Sequence, residues 1–518
     1  MAKKIKLDSV TKINPSVELI KDTAAAYDLS VAAARTCYSP KCIDTEQVTE
    51  KNREFIGKGI FEGGHHTPFQ MPNFIFKLDD VSRHFVWSVL HSHPWYNSDQ
   101  VSQRYVVMNE AKVHIPDDLN NVQREIYETA VLGAWQAYAE LKDSIYPNML
   151  NTMKGIGKIK RMSDKEIAGV AEKKAIETAR YVLPIATYTS LWHVVSGLTL
   201  HRYHRLMNAN DVPAESRKII TSMVDAVKAV DKDFFDKIGE GPIPEEQTLE
   251  HKIINSHEPN LDFKKHFDGI LLDKTSRLVD YSKNAERIIA DSVREVTGRM
   301  LTMDEAIAYA LDPDQNPYLM DTLNLYSHSP VMRALNNTSY VFKKKLSHTA
   351  DSQDQRHRTT PASRPLFSAV VSGNPDFIEP DIIKNDEASL SAYKDQMDKA
   401  WNARNKLIDA GASEESANYL LPNAAAIRFT ETSRLIDLVH KFRMRLCFNA
   451  QKEIFNASMD EFEQINAVQP MLMKYIGPAC VNRNDRVEHK EIEGPCPEGK
   501  RYCGIPVWKN FPKVKRPF

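Results

Sequence analysis

The stretch KLSHTADSQDQRHRTTPASRP, Lys345–Pro365, concentrates cationic and amide side chains directly after a short apolar segment, Thr338–Phe342. We predict that the apolar segment is a β-strand. Gln353 then precedes the triplet Arg356-His357-Arg358, and burying such charges without partners is costly. Because guanidinium groups bind phosphate or carboxylate oxygens two at a time, the stretch indicates an anion site for a nucleotide-like ligand, with a solvated basic turn as the alternative.

The composition indicates a helix-rich chain of several domains. Its length of 518 residues exceeds one ordinary domain, and 42% of the residues are apolar. Lys plus Arg (68) nearly equals Asp plus Glu (69), so we expect no bulk attraction to nucleic acid or membrane. The basic N-terminus lacks the apolar run of a secretory signal, and no segment approaches the roughly 20 apolar residues that span a bilayer. We therefore predict a cytoplasmic protein.

Several motifs recur in the same order in the two halves of the chain. HHTP at residues 65–68 corresponds to SHSP at 327–330, NFIF at 73–76 to SYVF at 339–342, and Leu183-Pro184 to Leu421-Pro422. We interpret this order as two divergent copies of one domain, with chance similarity as the alternative. The predicted boundaries are 1–240 for the first copy, 241–262 for a Glu/Pro/Gly-rich linker, 263–470 for the second copy and 471–518 for a C-terminal extension containing cysteines.

Hydrophobic periodicity predicts the elements that carry these motifs. We expect a strand at Asn73–Asp79, a helix at Arg83–Leu90 capped by Ser82, and helices at Leu19–Ala34, Thr45–Phe61, Tyr188–Leu206 (with Thr189 as its cap) and Thr430–Cys447. The last of these has a buried stripe of Leu435, Val439, Phe442 and Leu446, and its basic residues Arg434, Lys441 and Arg445 fall on an adjacent face.

Together these motifs resemble the signature of the flavin-dependent thymidylate synthases. The first copy matches it with Gly64-His65-His66-Thr67-Pro68-Phe69, Ser82-Arg83, Ser102-Gln103-Arg104-Tyr105 and Ala179-Arg180-Tyr181-Val182-Leu183-Pro184. The second copy matches it with Ser347, Gln353, Arg356-His357-Arg358, Leu421-Pro422, Arg445 and Ala450-Gln451-Lys452-Glu453-Ile454. The resemblance implies a helix-rich α+β fold in each copy, an antiparallel sheet flanked by helices.

Neither copy carries the whole signature, and what one lacks the other supplies. Where the family has Arg-His-Arg, the first copy has His91-Ser92-His93, and Met207 replaces the late Arg. The second copy has a shorter segment in place of Ser-x-Arg-Tyr, and Asn418 at the counterpart of Arg180. The family is a homotetramer whose active sites are shared between subunits. We therefore expect one composite nucleotide site, in which Gln353, Arg356 and Arg445 join Ser102, Arg104 and Arg180, and a homodimer that mimics the family tetramer.

The resemblance also implies the chemistry. FAD would accept reducing equivalents from NADPH and relay the methylene group of 5,10-methylenetetrahydrofolate to C5 of dUMP, giving dTMP. Arg445 matches the catalytic position facing the pyrimidine, where it would stabilise developing negative charge. Gln353, Arg356, Ser102, Arg104 and Arg180 match substrate-binding positions. The cofactor-binding assignments are His65, Thr67, His357, Arg358, Arg434 and His440. No cysteine falls at a signature position, as expected for a reaction without thiolate attack on the ring.

Some departures leave alternatives open. At positions where the family binds the adenine side of the flavin, the copies have Ser196 and Leu198, and Arg434 and Ile436. Trp95 and Tyr96 change the substrate loop, although packing is the commoner role of such residues. The acceptor could therefore be another pyrimidine, or the protein a catalytically inert nucleotide-binding scaffold. Among the six cysteines, Cys480, Cys496 and Cys503 cluster in the extension; we favour free thiols over a zinc site completed by His489 or Cys447.

Overall fold

The computed structural model describes residues 5–518, with every side chain in that range except that of Tyr326. The first four residues of the predicted first copy lie outside this range. The strands are β1 Lys6–Lys12, β2 Ser16–Asp22, β3 Asn73–Ser82, β4 Asn97–Gln100, β5 Glu110–Val113, β6 Tyr188–Ser196, β7 Ser276–Tyr281, β8 Ser339–Ser347, β9 Ala362–Ser363 and β10 Ala426–Arg434.

Helices account for much of the remaining chain. In the first part they are α1 Ala26–Thr36, α2 Glu50–Asn52, α3 Lys58–Glu62, α4 Arg83–His91, α5 Asn121–Ile159, α6 Asp164–Ala179, α7 Gly197–Leu206, α8 Pro213–Val230, α9 Asp233–Asp236, α10 Leu249–Ser256 and α11 Phe263–Leu271. In the second part they are α12 Ala285–Thr297, α13 Met303–Leu311, α14 His348–Asp354, α15 Phe367–Val370, α16 Asp381–Lys384, α17 Glu387–Asp409, α18 Glu414–Asn418, α19 Leu435–Arg445, α20 Lys452–Val468, α21 Pro470–Met473 and α22 Ala479–Asn482.

Two four-stranded antiparallel sheets share one arrangement. Their strand orders are β2-β3-β6-β4 and β7-β8-β10-β9. The central pairs run from Asn73↔Ser196 to Ser82↔Tyr188 in the first sheet, and from Ser339↔Arg434 to Ser347↔Ala426 in the second. Side chains along β3 and β8 alternate between buried and partly exposed, because successive residues of a strand point to opposite faces. β1 and β5 form a separate parallel pair outside both sheets.

Three predicted helices are wrong in part, because a strand in each runs into a helix. Leu19 lies in β2, which precedes α1. The first half of Tyr188–Leu206 is β6, and the cap of α7 is Ser196 rather than Thr189. The start of Thr430–Cys447, up to Arg434, belongs to β10. At the last two junctions the helix begins directly after the strand, and α1 begins at Ala26 shortly after β2 ends at Asp22, so the sequence does not mark where the period changes.

Other predictions for local structure are confirmed. β3 is longer than predicted at its C-terminal end, and Ser82 caps α4 by accepting the N–H of Phe85. The stripe Leu435, Val439, Phe442 and Leu446 is buried. The predicted helix Thr45–Phe61 is divided into a 3-10 turn, α2, a π-helical turn at Arg53–Gly57 and α3.

Each copy ends its long central strand with the same arrangement of a serine and a glutamate. The Ser82 hydroxyl donates to Glu215 of α8 at 2.6 Å, and the Ser82 N–H donates to the same carboxylate at 2.8 Å. In the second copy the hydroxyl and N–H of Ser347 donate to Glu453 of α20 at 2.7 and 2.6 Å. These buried glutamates satisfy the serine N–H and hydroxyl and tie each sheet to its own helix.

The copies meet where their Leu-Pro segments cross, which we call the Leu-Pro crossing, residues 181–186 and 419–424. Ile185 N–H donates to Leu421 O at 2.8 Å, and Asn423 N–H donates to Leu183 O at 2.8 Å. A second reciprocal pair joins Ala186 N–H to Tyr419 O and Ala424 N–H to Tyr181 O. Exchanging the two copies therefore reproduces the hydrogen-bond pattern, as across a two-fold axis.

Side chains extend the Leu-Pro crossing into a shared core. The Tyr181 hydroxyl of the first copy donates to Glu453 of the second at 2.5 Å, and the Tyr419 hydroxyl donates to Glu215 at 2.6 Å. One continuous apolar core includes residues of the first copy, residues 346–457 of the second and Phe518 of the extension. A second core, within 285–476, fills the remainder of the second copy. Within residues 5–518, none of the helices is long and apolar enough to cross a bilayer.

Candidate functional site

The predicted substrate residues of the first copy contact one short segment of the second, residues 445–453. Arg104 Nη2 donates to Asn449 O at 2.8 Å, and Arg180 Nη2 donates to Gln451 Oε1 at 2.7 Å. Ser102 Oγ accepts the N–H of Arg104 at 3.2 Å, which fixes the turn that presents this arginine. Arg180 is 6% exposed. The Leu-Pro crossing brings these two arginines to the second copy, because Arg180 directly precedes Tyr181.

Arg445, at the end of α19, lies against the stretch that opened the sequence analysis. Its Nε–H donates to His357 Nε2 at 2.8 Å, and its Nη2 donates to the carbonyl of Gln353 at 3.2 Å. The buried His357 ring therefore accepts through Nε2. Burial and the charge of Arg445 hold the pKa of His357 well below its usual value, so the ring is neutral. Gln353 Oε1 is buried and has no hydrogen-bond partner among the described residues.

Arginines of both copies lie close to Arg445. Burial, helped by the positive charges of Arg104 and Arg356 and opposed by Asp354, lowers the pKa of Arg445 to about 10. Within residues 5–518, no carboxylate lies within ion-pair distance of Arg445. Arg356 is 59% exposed and contacts Asp99 of the first copy at 3.1 Å. We call Arg104, Arg180, Arg356 and Arg445 the arginine cluster; it fits the phosphate of a nucleotide, which would supply the missing negative charge.

The carboxylate of Glu177 lies close to two members of the arginine cluster, Arg104 and Arg180. Glu177 accepts a short hydrogen bond from Arg104 Nε and lies 3.6 Å from Lys174 Nζ. Burial alone would raise the pKa of Glu177, but Lys174, Arg104 and Arg180 lower it to about 2. Three cations therefore share one carboxylate, and the excess positive charge remains available to a ligand.

Behind His357 and Arg445 lies a buried network of five charges: Lys344, Lys441, Asp354, Glu431 and Glu461. Lys344 Nζ contacts Asp354 at 2.5 Å, and Lys441 Nζ contacts Glu431 at 2.6 Å. Lys441 is thus a core residue, and its prediction as part of a basic face is wrong: packing between strand β10 and helix α20 encloses it. The network has one more carboxylate than ammonium groups, and Asp354 is the member whose charge acts on Arg445.

The predicted cofactor residues fall into four groups. His357 and His440 are neighbours, with ring centroids 5.6 Å apart. Arg358 is exposed, donates to Asn97 Oδ1 at 2.9 Å and lies over the Tyr96 ring. His65 and Thr67 are exposed in the first copy, at a turn that packs on α1 and α7, and no described contact brings either to His357. Arg434 is paired with Asp437 of its own helix at 2.7 Å.

A flavin fits the first two of these groups better than the adenine-side positions. The exposed guanidinium of Arg358 has only a neutral amide as hydrogen-bond acceptor, so it can bind a phosphate. Ser196 serves as the cap of α7, while Leu198 and Ile436 are buried apolar side chains. The structure therefore offers residues for the flavin end of the cofactor, whereas those three adenine-side positions have structural roles.

The equivalent position on the other side of the Leu-Pro crossing is closed. Met207 precedes Glu215 by the interval at which Arg445 precedes Glu453, and Asp211 corresponds in the same way to Asn449. Asp211 accepts a short hydrogen bond from the N–H of Phe367, whose buried ring packs against His84 and Trp87. Nearby, Arg364 is bound by the buried Asp351. A carboxylate and an aromatic ring thus lie at this position, and its nearby arginine is already paired.

Some residues around the arginine cluster were not assigned from sequence. Gln451 lies in the quoted Ala-Gln-x-Glu-Ile motif, so the motif could have suggested its contact with Arg180. Glu177, Lys174 and Asn449 carried no such signal, because their roles depend on packing between the copies. A cavity of about 500 Å³ opens beside Arg104, lined by Lys160, Lys174, Glu177, Asn449, Lys500 and Cys503 among others. The C-terminal extension thus forms one wall of a space next to the arginine cluster.

Comparison with known proteins gives matches in both halves of the chain. The family model described as "Thymidylate synthase complementing protein" matches residues 18–231 and 277–471. A flavin-dependent thymidylate synthase of Clostridium tetani is 27% identical over 246 residues, covering 44% of this chain and 92% of that protein. The protein of the same name from Geobacter sulfurreducens is 28% identical over 188 residues, covering 36% and 75%. That from Sulfolobus acidocaldarius is 28% identical over 221 residues, covering 42% and 82%.

Proposed function

The chain belongs to the flavin-dependent thymidylate synthase family, and on this basis we propose that it methylates dUMP to dTMP, with 5,10-methylenetetrahydrofolate as the one-carbon donor and with FAD and NADPH. The observation that carries the proposal is the arginine cluster. Arg104 and Arg356 lie close enough to lower the pKa of Arg445, Arg180 contacts Gln451 six residues beyond it, and Arg445 has no carboxylate partner among the described residues. A nucleoside monophosphate supplies the dianion that such a cluster requires.

In this proposal, different residues bind different parts of the nucleotide. Arg104, Arg180 and Arg356 hold the phosphate, and each charge-assisted hydrogen bond contributes about 1.5 to 3 kcal/mol. Gln353 offers its unpartnered Oε1 to a donor of the nucleotide. Arg445 faces the pyrimidine carbonyls and stabilises the negative charge that develops on the ring during attack at C5. Its buried position strengthens this effect, because few water molecules screen it.

His357 and Arg358 connect the nucleotide site to the cofactor. When bound, the flavin supplies hydride transfer and relays the one-carbon unit. The neutral His357 ring accepts the Nε–H of Arg445 and so orients this arginine. The same ring packs against the ring of His440. Arg358 binds a cofactor phosphate. His65, Thr67 and Arg434 would complete the cofactor site only if a second chain brought them to it.

Because His65 and Thr67 lie apart from His357 within one chain, a complete cofactor site would need two chains. We propose that residues 1–240 and 263–470 are tandem copies, joined by 241–262 and followed by the extension 471–518. The reciprocal hydrogen bonds of the Leu-Pro crossing support it, because they repeat one interface from both sides. Two such chains would form a homodimer equivalent to the family's homotetramer, and the second chain would present His65 and Thr67.

The proposal is tested on the purified full-length chain. We expect flavin absorbance near about 450 nm that changes on titration with dUMP, and formation of dTMP from dUMP, methylenetetrahydrofolate and NADPH. Arg445→Ala should abolish dTMP formation, whereas Arg124→Ala, on the exposed face of α5, should not. A chain that binds no flavin and forms no dTMP would refute the proposal and favour the inert scaffold. Bound flavin without any response to dUMP would instead favour another pyrimidine as the acceptor.

A further inference from the structure

The cavity beside Arg104 lies between the C-terminal part of α5, helix α6 and the C-terminal extension. Its volume of about 500 Å³ is within the range of about 300 to 1,000 Å³ that small-molecule sites occupy. Arg104 lines this cavity and also belongs to the arginine cluster, where its Nη2 donates to Asn449 O. The cavity therefore adjoins the proposed nucleotide site.

Much of the cavity lining is apolar. Aliphatic side chains come from α5 and α6, and two aromatic rings come from the extension: Met153, Ile156, Ile167, Val170, Tyr502 and Phe518. Such a surface binds the ring or the aliphatic part of a ligand, because contact removes apolar area of both partners from water.

Cationic side chains outnumber carboxylates in the same lining. Arg104 and Lys174 both contact Glu177, which partly neutralises them. Four further cations, which we call the cavity cations, are Lys160, Lys173, Lys500 and Arg501. Within residues 5–518, no carboxylate lies within ion-pair distance of any of these four, and the only other acidic side chain in the lining is Glu498. The cavity therefore carries an excess of positive charge that an anionic ligand would neutralise.

The cavity cations come from three different parts of the fold. Lys160 directly follows α5, Lys173 lies on α6, and Lys500 and Arg501 lie on the extension. The ammonium group of a lysine is a point charge on a flexible stem, so each can bind a separate carboxylate. Cations from three elements therefore suit several carboxylates along a chain better than one compact phosphate.

The extension is packed closely enough on α5 to hold its side of the cavity in place. Gly504 has φ +84°, and a Cβ added to it would lie 2.3 Å from Ile156 Cγ2. Asn449 Nδ2 also donates to the carbonyl of Arg501 at 2.6 Å, which joins the extension to the segment that follows Arg445. Because this wall is already ordered, a ligand does not have to fix it on binding.

We propose that the cavity binds the tail of the folate cosubstrate, with the aminobenzoyl ring on the apolar lining and the glutamate carboxylates beside the cavity cations. The inference rests on the proposed function, which requires a folate donor next to the nucleotide. A folate combines an aryl ring with one or more glutamates, and these are the two features that the lining matches. Because the cavity cations outnumber the carboxylates of a single glutamate, the site favours a donor with a chain of several glutamates.

Calorimetry on the full-length chain tests the proposal. The probe is 5-formyltetrahydrofolate, which donates no methylene group, as the monoglutamate and as the tetraglutamate. We expect the tetraglutamate to bind wild-type protein about 10-fold more tightly, because each added carboxylate gains a solvent-exposed ion pair of modest strength. The difference should shrink when the salt concentration rises from about 0.05 to about 0.5 M, since salt screens exposed charges.

The double variant Lys173→Ala/Lys500→Ala removes two cavity cations. Both lysines are exposed, so we expect the variant to fold. Its preference for the tetraglutamate should fall to about 2-fold or less, while its affinity for dUMP stays unchanged. Lys165→Ala is the matched control, because Lys165 is also exposed on α6 but does not line the cavity.

Each other outcome overturns the tail site in a recognisable way. Equal affinity of the wild type for both folate forms, or an unchanged preference in the double variant, would refute the tail site and leave the proposed function standing. If the double variant instead lost affinity for NADP⁺, the cavity would bind the phosphates of that cofactor. If neither folate form bound at any concentration, the donor assigned in the proposed function would fail as well.

Discussion

At the scale of single residues, the energetics of Arg445 require explanation. Burying a guanidinium without an ion-pair partner is costly, and the nearby positive charges of Arg104 and Arg356 increase that cost. The surplus carboxylate of the network behind it offsets only part of this cost, through Asp354. A fold that retains such a charge gains stability when an anion binds, because the ligand relieves the repulsion.

We expect Arg104→Ala and Arg445→Ala each to weaken dUMP binding about 10- to 100-fold, because each removes a charge-assisted hydrogen bond. The two arginines come from different copies, so the double variant tests whether they share one ligand. Titration of the flavin spectrum or calorimetry measures the affinities, with Arg124→Ala as the control. If the double variant's loss equalled the sum of the single losses in free energy, the two arginines would contribute to dUMP binding independently, without coupling through the ligand.

The buried carboxyl of Asp211 predicts that the stability of the fold depends on pH. Burial raises the pKa of this carboxyl to about 7, from about 3.9 in an unfolded chain. Its contribution to stability is therefore fully present below about pH 4 and is lost as the pH rises through about 7. Asp211→Asn cannot ionise and still accepts the N–H of Phe367. We expect the variant to gain on the order of 1 kcal/mol per pH unit relative to wild type between these values.

Thermal melts at several pH values between 4.5 and about 8 would measure this difference. Asp143→Asn is the matched control, because Asp143 is a 76% exposed carboxylate on α5. Melting temperatures of wild type and Asp211→Asn that stay parallel across the range would show that Asp211 is not held protonated.

At the scale of elements, the sequence predicted the strand–helix unit of β3 and α4 better than the later ones. Ser82 is the predicted and the observed cap of α4, whereas the predicted cap Thr189 lies inside β6 and the cap of α7 is Ser196. At the junction of β10 and α19 no glycine, proline or serine cap intervenes, since Arg434 takes the capping position. Only pairing with β8, a contact distant in sequence, decides that Ala426–Arg434 is a strand.

The Leu-Pro crossing allows a prediction with an internal control. Tyr181→Phe and Tyr419→Phe each remove one hydroxyl hydrogen bond to a buried glutamate of the other copy. We expect each to lower stability by about 1.5 to 3 kcal/mol, since the acceptor is charged. Only Tyr181 also accepts from Gln451, the residue that holds Arg180. Tyr181→Phe should therefore weaken dUMP binding severalfold, whereas Tyr419→Phe should leave it unchanged.

Chemical denaturation and dUMP titration of both variants test these two effects separately. Equal effects of the two substitutions on nucleotide affinity would argue against an asymmetric role for the Leu-Pro crossing. Equal stability losses would be consistent with the reciprocal hydrogen bonds across it.

At the scale of the whole molecule, complementary gaps in two sequence copies indicated a composite site. Motif order led to the prediction that residues of one copy lie near those of the other, and Arg104 and Arg180 contact Asn449 and Gln451, in the segment that follows Arg445. The sequence could not show how the closed position is filled, because Phe367 and Asp351 match no motif. Nor could it place His65 and Thr67, which match the signature but lie apart from His357 within one chain.

The residues at the second position predict how many nucleotides each chain binds. At the place equivalent to the arginine cluster, Met207 stands where Arg445 would be, Asp211 accepts the N–H of the buried Phe367, and the nearby Arg364 is already paired with Asp351. We therefore expect about one dUMP bound per chain by calorimetry, although the chain contains two copies of the domain. Light scattering should give a mass of about twice 59.0 kDa for the proposed homodimer, hence two nucleotides per assembly. Two nucleotides per chain would mean that the second position also supplies cations for a phosphate, although its nearby arginine, Arg364, is already bound by Asp351.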